Sequence, residues 1–398
     1  MNRVADDIAA GARILRGERN WWFLGPGGGV ARLRAGHVSA DGTLRPDAER
    51  RLREHGLLSA APPSTYSLTV LTSTHCNLGC GYCFQNTGQD AADGSRPPRI
   101  PRIRLTSRTI TSILDFTDRQ MAAAGLDKLR VLLFGGEPLL NPRGCVELLE
   151  RAADHGMTSA WMISNATLLT PALAARLAGL GLESVQVTFD GDRPDHDRIR
   201  VVRADGGGTF DTIVGNIVRA SQAAPLRWIL RVNVSQETYQ GVDALIDRLA
   251  GALDPGRCAL YFAQVGDVGV GYGNDLPHSG DVSARFSRWQ RRALDLGFTV
   301  TRPQAHRPCA TCGYGDGRYG AVVSADGTLS SCWETAGKDD WQVGTVTGGY
   351  LPDTPDRQRR WIGCEDLYRR GEDARTLAAF HDTVDAALLD YLDETGRL

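Results

Sequence analysis

A chain of 398 residues, 42% apolar and 23% charged, is long enough to bury a substantial core and to divide into two or three domains. Its 45 basic and 47 acidic residues leave a formal charge of −2, so composition gives no broad field for nucleic acid or a membrane surface. The opening MNRVADDIAAGARILRGERN interleaves charges, and no segment approaches the roughly 20 apolar residues of a membrane span, which makes the cytoplasm the expected location.

In chain order, NWWFLGPGGGVARL predicts two short strands around a glycine turn. RPDAERRLREHGLL predicts a short helix with Pro46 near its first turn and Gly56 as its stop. Residues 1–62 thus read as a small N-terminal α+β segment. From residue 66, six strand-like runs alternate with amphipathic helices. YSLTVLT (66–72) precedes a helix capped by Thr106 or Ser107, and KLRVLLF (128–134) precedes GCVELLERAADHG. TSAWMIS, ESVQVTF, RWILRVNV and CALYFAQV follow, each with its own helix. The runs are too continuously apolar for a half-exposed sheet, which argues for buried parallel strands with right-handed crossovers. The fold class is α/β, a partial (β/α)6 TIM-type barrel over residues 63–298, with a doubly wound sheet as the structural alternative.

In such folds chemistry gathers at the carboxyl ends of the strands. There this sequence places THCNLGCGYCFQN (74–86), then GGEP (135–138), then SNATLL (164–169), then DGDRPDHDRIR (190–200). The first loop holds Cys76, Cys80 and Cys83 in a C-x3-C-x2-C spacing with an aromatic before the third thiol. The chain has nine cysteines, an odd number clustered unevenly, which favours metal ligation over disulfides. Three thiolates on a [4Fe-4S] cube leave one iron open for a reactant, as a vacant position does in a catalytic zinc site. A zinc site completed by His75 and a set of unrelated core thiols are the alternatives.

CNLGCGYCF followed by GGEP one strand later resembles the cluster loop of the radical S-adenosylmethionine (SAM) enzymes. The resemblance implies that Cys76, Cys80 and Cys83 hold three irons while the fourth takes the amino nitrogen and carboxylate of SAM, with Tyr82 against the adenine. It implies that Gly135 and Gly136 let backbone approach the ligand, that Glu137 accepts from the methionine ammonium, and that Ser164 and Asn165 contact ribose or carboxylate. Arg200 resembles the family's carboxylate anchor, with Arg198 and Arg203 close by in sequence. Asp190 and Gly191, in VTFDG, match a stretch typical of peptide-modifying members. The expected reaction is reductive cleavage of SAM to a 5'-deoxyadenosyl radical that abstracts hydrogen, the electron arriving from a donor such as flavodoxin or ferredoxin.

Residues 299–398 resemble the SPASM and twitch extensions of that family. CGYGDGRYGAVVSADGTLSSC implies a β-hairpin turning at ADG. Cys309, Cys312, Cys332 and Cys364 supply four thiolates for one auxiliary [4Fe-4S] cluster, with a zinc knuckle as the rival. The domain would end in a C-terminal helix. Cys145 reads as helix packing, and Cys258 as core filling or a hydrogen donor in the barrel lumen. Residues 1–62 faintly resemble the winged-helix elements that grip precursor leaders. The proline-rich loop NTGQDAADGSRPPRIPRI (86–103) is too long for an idle connection and is expected to fold over the active site or touch substrate. The resemblance implies a maturase that crosslinks or otherwise modifies a ribosomally made precursor peptide. The alternatives are a SAM-dependent dehydrogenase or epimerase acting on a small molecule or peptide, and a non-catalytic iron–sulfur sensor.

Overall fold

Short alternating runs near the N-terminus pair as three antiparallel strands, β1 (Arg13–Arg16), β2 (Trp21–Leu24) and β3 (Val30–Leu33). They belong to a computed structural model that describes residues 11–90, 95–267, 270–274, 276–363 and 374–398. Only two strands are expected from the sequence here; β1, RILR, is too short and too charged at its ends to stand out. Helix α1 (Pro46–Glu54) starts on Pro46, whose missing N–H lies where a helix has no acceptor for it, and Gly56 takes φ +69° just beyond the end.

The six predicted runs become parallel strands: β4 (Tyr66–Ser73), β5 (Leu129–Gly135), β6 (Met157–Ile163), β7 (Leu182–Phe189), β8 (Arg227–Val234) and β9 (Cys258–Gln264). They lie side by side in chain order. A doubly wound sheet reverses its strand order at a switch point, and this run never does, so the doubly wound alternative fails. Helices α2 (Ser107–Ala124), α3 (Pro142–Ala152), α4 (Pro171–Gly179), α5 (Arg193–Ile199), α6 (Phe210–Ala223), α7 (Val242–Ala252) and α8 (Gly280–Asp295) fill the crossovers. Thr106 caps α2, accepting from the Thr109 N–H. The core lies between strands and helices, with Phe116, Phe189, Trp228 and Trp289 among its fully buried side chains.

The sheet continues beyond the six at both ends. β10 (Thr299–Val300) joins β9, and β11 (Gly320–Val323) runs parallel to β4 before turning through Ser324–Gly327 into antiparallel β12 (Thr328–Ser330). The ADG turn is where the sequence puts it, with Gly327 at φ +92°. β13 (Gln342–Thr345) and β14 (Gly349–Tyr350) complete the sheet, followed by α9 (Pro355–Arg360).

The last helix, α10 (Ala374–Glu394), packs on α8 and on the N-terminal sheet. Leu15, Trp22 and Leu24 meet Ala305, Ala386 and Leu389 there. Arg13 reaches Asp382 at 2.6 Å and Asp385 at 2.7 Å, and Trp22 Nε1 donates to the buried Asp390 carboxylate at 2.8 Å. Replacing Trp22 with Phe removes that donor while keeping an aromatic body in the core. It should lower stability by about 1–3 kcal/mol, read as a fall in the chemical-denaturation midpoint of the apoprotein.

Candidate cluster and cofactor site

Strand β4 delivers the three-thiol loop to the carboxyl edge of the sheet. Cys76 and Cys80 are buried and Cys83 is half-buried, and all three pack in one contact cluster with Leu78, Tyr82 and Val202. Burial pushes the Cys76 thiol up to about 12 and raises Cys80 as well. Donors nevertheless point at the sulfurs. The Leu78 N–H reaches Cys76 Sγ at 3.4 Å, Asn165 Nδ2 lies 3.8 Å from it, and Arg99 Nη1 donates to Cys83 Sγ at 3.4 Å.

Gly135 and Gly136 turn out to approach the chain's own backbone. Gly135 has φ +138°, and a Cβ there would collide with the Ser73 carbonyl oxygen; one at Gly136 would lie 2.5 Å from His75 O. The close fit lets the Gly136 N–H donate to Ser73 O and the Glu137 N–H donate to His75 O, both at 2.9 Å. Glu137 is fully buried. Its Oε1 accepts from the Leu139 N–H at 2.9 Å and Ser164 Oγ at 2.8 Å, and its Oε2 from the Asn165 N–H at 2.7 Å. Burial raises its carboxyl while these donors hold it down. Glu137, Ser164 and Asn165 are therefore bound to one another, and Glu137 and Ser164 form a bracket behind the cluster loop. Asn165 also donates to Asn77 Oδ1 at 2.9 Å, and Ala166, next along, is buried in the left-handed region at φ +59°.

Among the three candidate arginines the structure separates the roles. Arg198 is exposed and faces Asp195 and Glu237. Arg203 turns toward the 95–104 segment, donating to Pro97 O at 3.1 Å. Arg200 lies in a buried network: its Nη1 donates to Tyr82 Oη at 2.8 Å and approaches Asp190 Oδ2 at 3.3 Å, and Tyr82 Oη donates to the same carboxylate oxygen at 2.9 Å. Asn233 Nδ2 also donates to Tyr82 Oη at 2.9 Å. Asn233 escaped the sequence reading, although a polar residue near the carboxyl end of the apolar run RWILRVNV was the same signal that marked its neighbours. Arg99 also escaped it, since nothing in its spacing ties it to the cysteines.

The remaining thiols fall in two groups. Cys145 is fully buried on α3 and its Sγ meets Thr72 Oγ1 and Pro138 O, as packing requires. Cys258 is the first residue of β9, at the end of the sheet away from the cluster loop, which removes the hydrogen-donor reading. Cys309 and Cys312 are neighbours, and the hydrogen bond between them pulls the Cys309 thiol down to about 5. Cys332 is buried just past β12. Cys364 lies outside the described residues. Trp361 Nε1 donates to Cys312 O at 3.0 Å, and the Ile362 N–H donates to Ser331 Oγ at 3.0 Å.

The donor set around Cys76, Cys80 and Cys83 fits thiolate-held iron beside an anionic ligand. Three thiols converge with N–H donors on two of their sulfurs, and Arg200 Nε is buried with no partner among the described residues. No three His, Cys, Asp or Glu side chains among the described residues are grouped as around a single metal ion. Thiolates on a cubane sit on different irons, so its ligands need no such grouping. No described helix is long and apolar enough to cross a membrane.

The radical SAM superfamily model matches residues 70–249. Fe-coproporphyrin III synthase of Methanosarcina barkeri (strain Fusaro / DSM 804) is 24% identical over 275 residues, 69% of this chain and 61% of that protein. Mycofactocin maturase MftC of Mycobacterium ulcerans (strain Agy99) is 28% identical over 204 residues, 50% of this chain and 48% of its own. The chain thus spans about half to three-fifths of the length of these relatives. The solved structure of native anSMEcpe with bound AdoMet and Cp18Cys peptide superposes with a TM-score of 0.59 at 15% identity, over 83% of this chain and 99% of the other, a likeness of fold.

Glu137→Gln tests the bracket. An amide cannot accept from both the Leu139 and Asn165 N–H groups on opposite sides, so one buried donor is orphaned. The variant should lose about 1–3 kcal/mol of stability, measured by denaturation of the apoprotein.

Proposed function

We propose, from the premise that residues 70–249 are a radical SAM superfamily domain, that this protein modifies a ribosomally made precursor peptide by hydrogen abstraction, installing a crosslink or a related change. The observation that carries the reading is the convergence of Cys76, Cys80 and Cys83 on one spot at the carboxyl edge of the sheet, with N–H donors on two of their sulfurs. These thiolates would hold a [4Fe-4S] cluster, and the parallel run would be a partial (β/α)6 barrel around it. When bound, cluster and SAM together supply a 5'-deoxyadenosyl radical.

The chain's own residues orient the reactants. Arg200, held by Asp190 and Tyr82, keeps its Nε for a carboxylate, and the Tyr82 ring offers a face for adenine. Gly135, Gly136, Glu137, Ser164 and Asn165 would shape the floor for the methionine end of SAM. We further assign an auxiliary [4Fe-4S] cluster to Cys309, Cys312, Cys332 and Cys364 in a twitch-like extension. Trp361 and Ile362, just before position 364, are pinned next to Cys312 and Cys332, which favours that ligand set. An acidic one-electron carrier, flavodoxin or ferredoxin, would reduce the first cluster, and thiolate-held iron suits a reducing cytoplasm.

The peptide substrate is supported by the relative named a maturase and by the N-terminal sheet, whose β3 pairs only with β2 among the described residues. An extended leader segment can add to such an edge. The likeness to Fe-coproporphyrin III synthase keeps a small-molecule substrate as the second reading.

Anaerobic reconstitution should load about eight irons per chain, and replacing Cys76, Cys80 and Cys83 with Ala should leave about four. Reduced holoenzyme with SAM should release 5'-deoxyadenosine. A short peptide encoded beside this gene, incubated with it, should lose the mass of two hydrogens on crosslinking; a colourless, iron-free product of reconstitution would end the reading.

A further inference from the structure

Residues 95–103 of the proline-rich connection fold back on the cluster loop. The Thr87 N–H donates to Pro98 O at 2.8 Å, the Ile100 N–H to Gln85 O at 3.1 Å, and Thr74 Oγ1 to Pro101 O at 2.6 Å. Three prolines stiffen the segment between these ties. Behind it lies a recess of about 310 Å³ lined by His75, Arg96, Arg99, Arg102 and Arg203 with the prolines.

Four guanidinium groups face this recess, and none of the lining residues among those described is acidic. Their hydrogen-bond partners among the described residues are a sulfur, an amide oxygen and a backbone carbonyl: Arg99 bonds Cys83 Sγ and Gln85 Oε1, and Arg203 bonds Pro97 O. The Nε atoms of Arg99 and Arg203 are buried without a partner among the described residues. Burial, and then the neighbouring Arg99, pull the Arg203 guanidinium below its ordinary range. Like charges held this close are unfavourable until an anion joins them.

Two features say which anion. Arg99 both lines the recess and touches Cys83 Sγ, so the cavity is one side chain from the cluster, yet it shares no residue with the Tyr82, Asp190, Arg200 and Asn233 set. Its rim is exposed at Pro101 and Arg102, where a folded partner's side chains can enter. The chain as a whole is slightly acidic, so this local patch selects both an acidic partner and its orientation.

We propose that the arginine-lined recess docks the acidic face of a protein electron carrier against the cluster loop, its carboxylates seated among Arg96, Arg99, Arg102 and Arg203. The inference rests on the radical SAM reading above. In the docked complex one electron leaves the carrier, which is oxidised by one unit, and enters the cluster; no bond or proton moves.

Binding of purified flavodoxin to the reconstituted protein tests this, measured calorimetrically across ionic strengths. Arg102→Glu should weaken binding about tenfold at low salt and flatten the salt dependence. Arg102→Lys should recover most of it, and Arg130→Glu, the same charge change at the far end of β5, should leave it unchanged. Equal loss in the Arg102→Glu and Arg130→Glu variants, or none in Arg102→Glu, overturns the proposal. So does phosphate binding that depends on Arg102 while flavodoxin does not bind. Photoreduction by free deazaflavin separates this from the reaction itself: 5'-deoxyadenosine formed equally by wild type and Arg102→Glu under deazaflavin supports a docking role. Failure of both to form it sinks the radical reading, with docking still decided by the calorimetry.

Discussion

The position of the cluster loop depends on how closely the ends of β4 and β5 approach. At Gly135 the backbone adopts φ +138° against the Ser73 carbonyl, a place where any side chain would collide. That contact sets the Gly136 and Glu137 N–H groups onto Ser73 and His75, immediately before Cys76. A buried carboxylate is tolerated here because three donors converge on it, two of them from the start of the next strand's loop. The ends of β4, β5 and β6 are thereby locked together by one charge and its partners. A loop so held can present three thiols in fixed relation while remaining free of regular structure.

A second buried charge ties in the opposite strands. Asp190 after β7, Asn233 on β8 and Arg200 after α5 all meet at the Tyr82 hydroxyl. The carboxylate and guanidinium offset one another, and burial of each makes a lone partner costly. Since Arg200 uses only Nη1 among these contacts, its Nε, without a partner among the described residues, remains as donor capacity inside the site. Tyr82 thus sits where the cluster loop and the far strands of the run are joined, as the hydrogen-bond hub between them.

Much of the fold was legible because its strands are buried on both faces. RWILRVNV matches β8 at both ends, three of the other runs differ from their strands by one residue at one end, and KLRVLLF and TSAWMIS are offset by one residue at both ends. Strand order was beyond periodicity, because a barrel and a doubly wound sheet use the same local pattern; pairing alone decides it. The three cysteines were visible through spacing, and GGEP through its place one strand later. What spacing could not reveal was whom the glycines approach. They make room for the backbone of Ser73, Thr74 and His75. Arg99 and Asn233 were missed for a related reason. Each acquires meaning only through tertiary contact, Arg99 by the fold-back of residues 95–103 onto Cys83 and Gln85 and Asn233 by its place across from Tyr82.

Charge shows the same limit of averages. A formal balance of −2 gives no broad field for nucleic acid or a membrane surface, but a sum over 398 residues says nothing of where the charges fall. Arg99, Arg102 and Arg104 are close in the chain, and with Arg203 their fields act together on His75 and hold its imidazole below its ordinary range after burial has begun the shift. Carboxylates elsewhere restore the balance, many of them in exposed ion pairs such as those of Asp247 and Asp356. Such pairs are screened by water and salt and project little field, whereas half-buried guanidinium groups in a recess are screened less. A near-neutral chain can therefore carry a strongly basic cavity, and the place where this one carries it is the flank of the three-thiol loop.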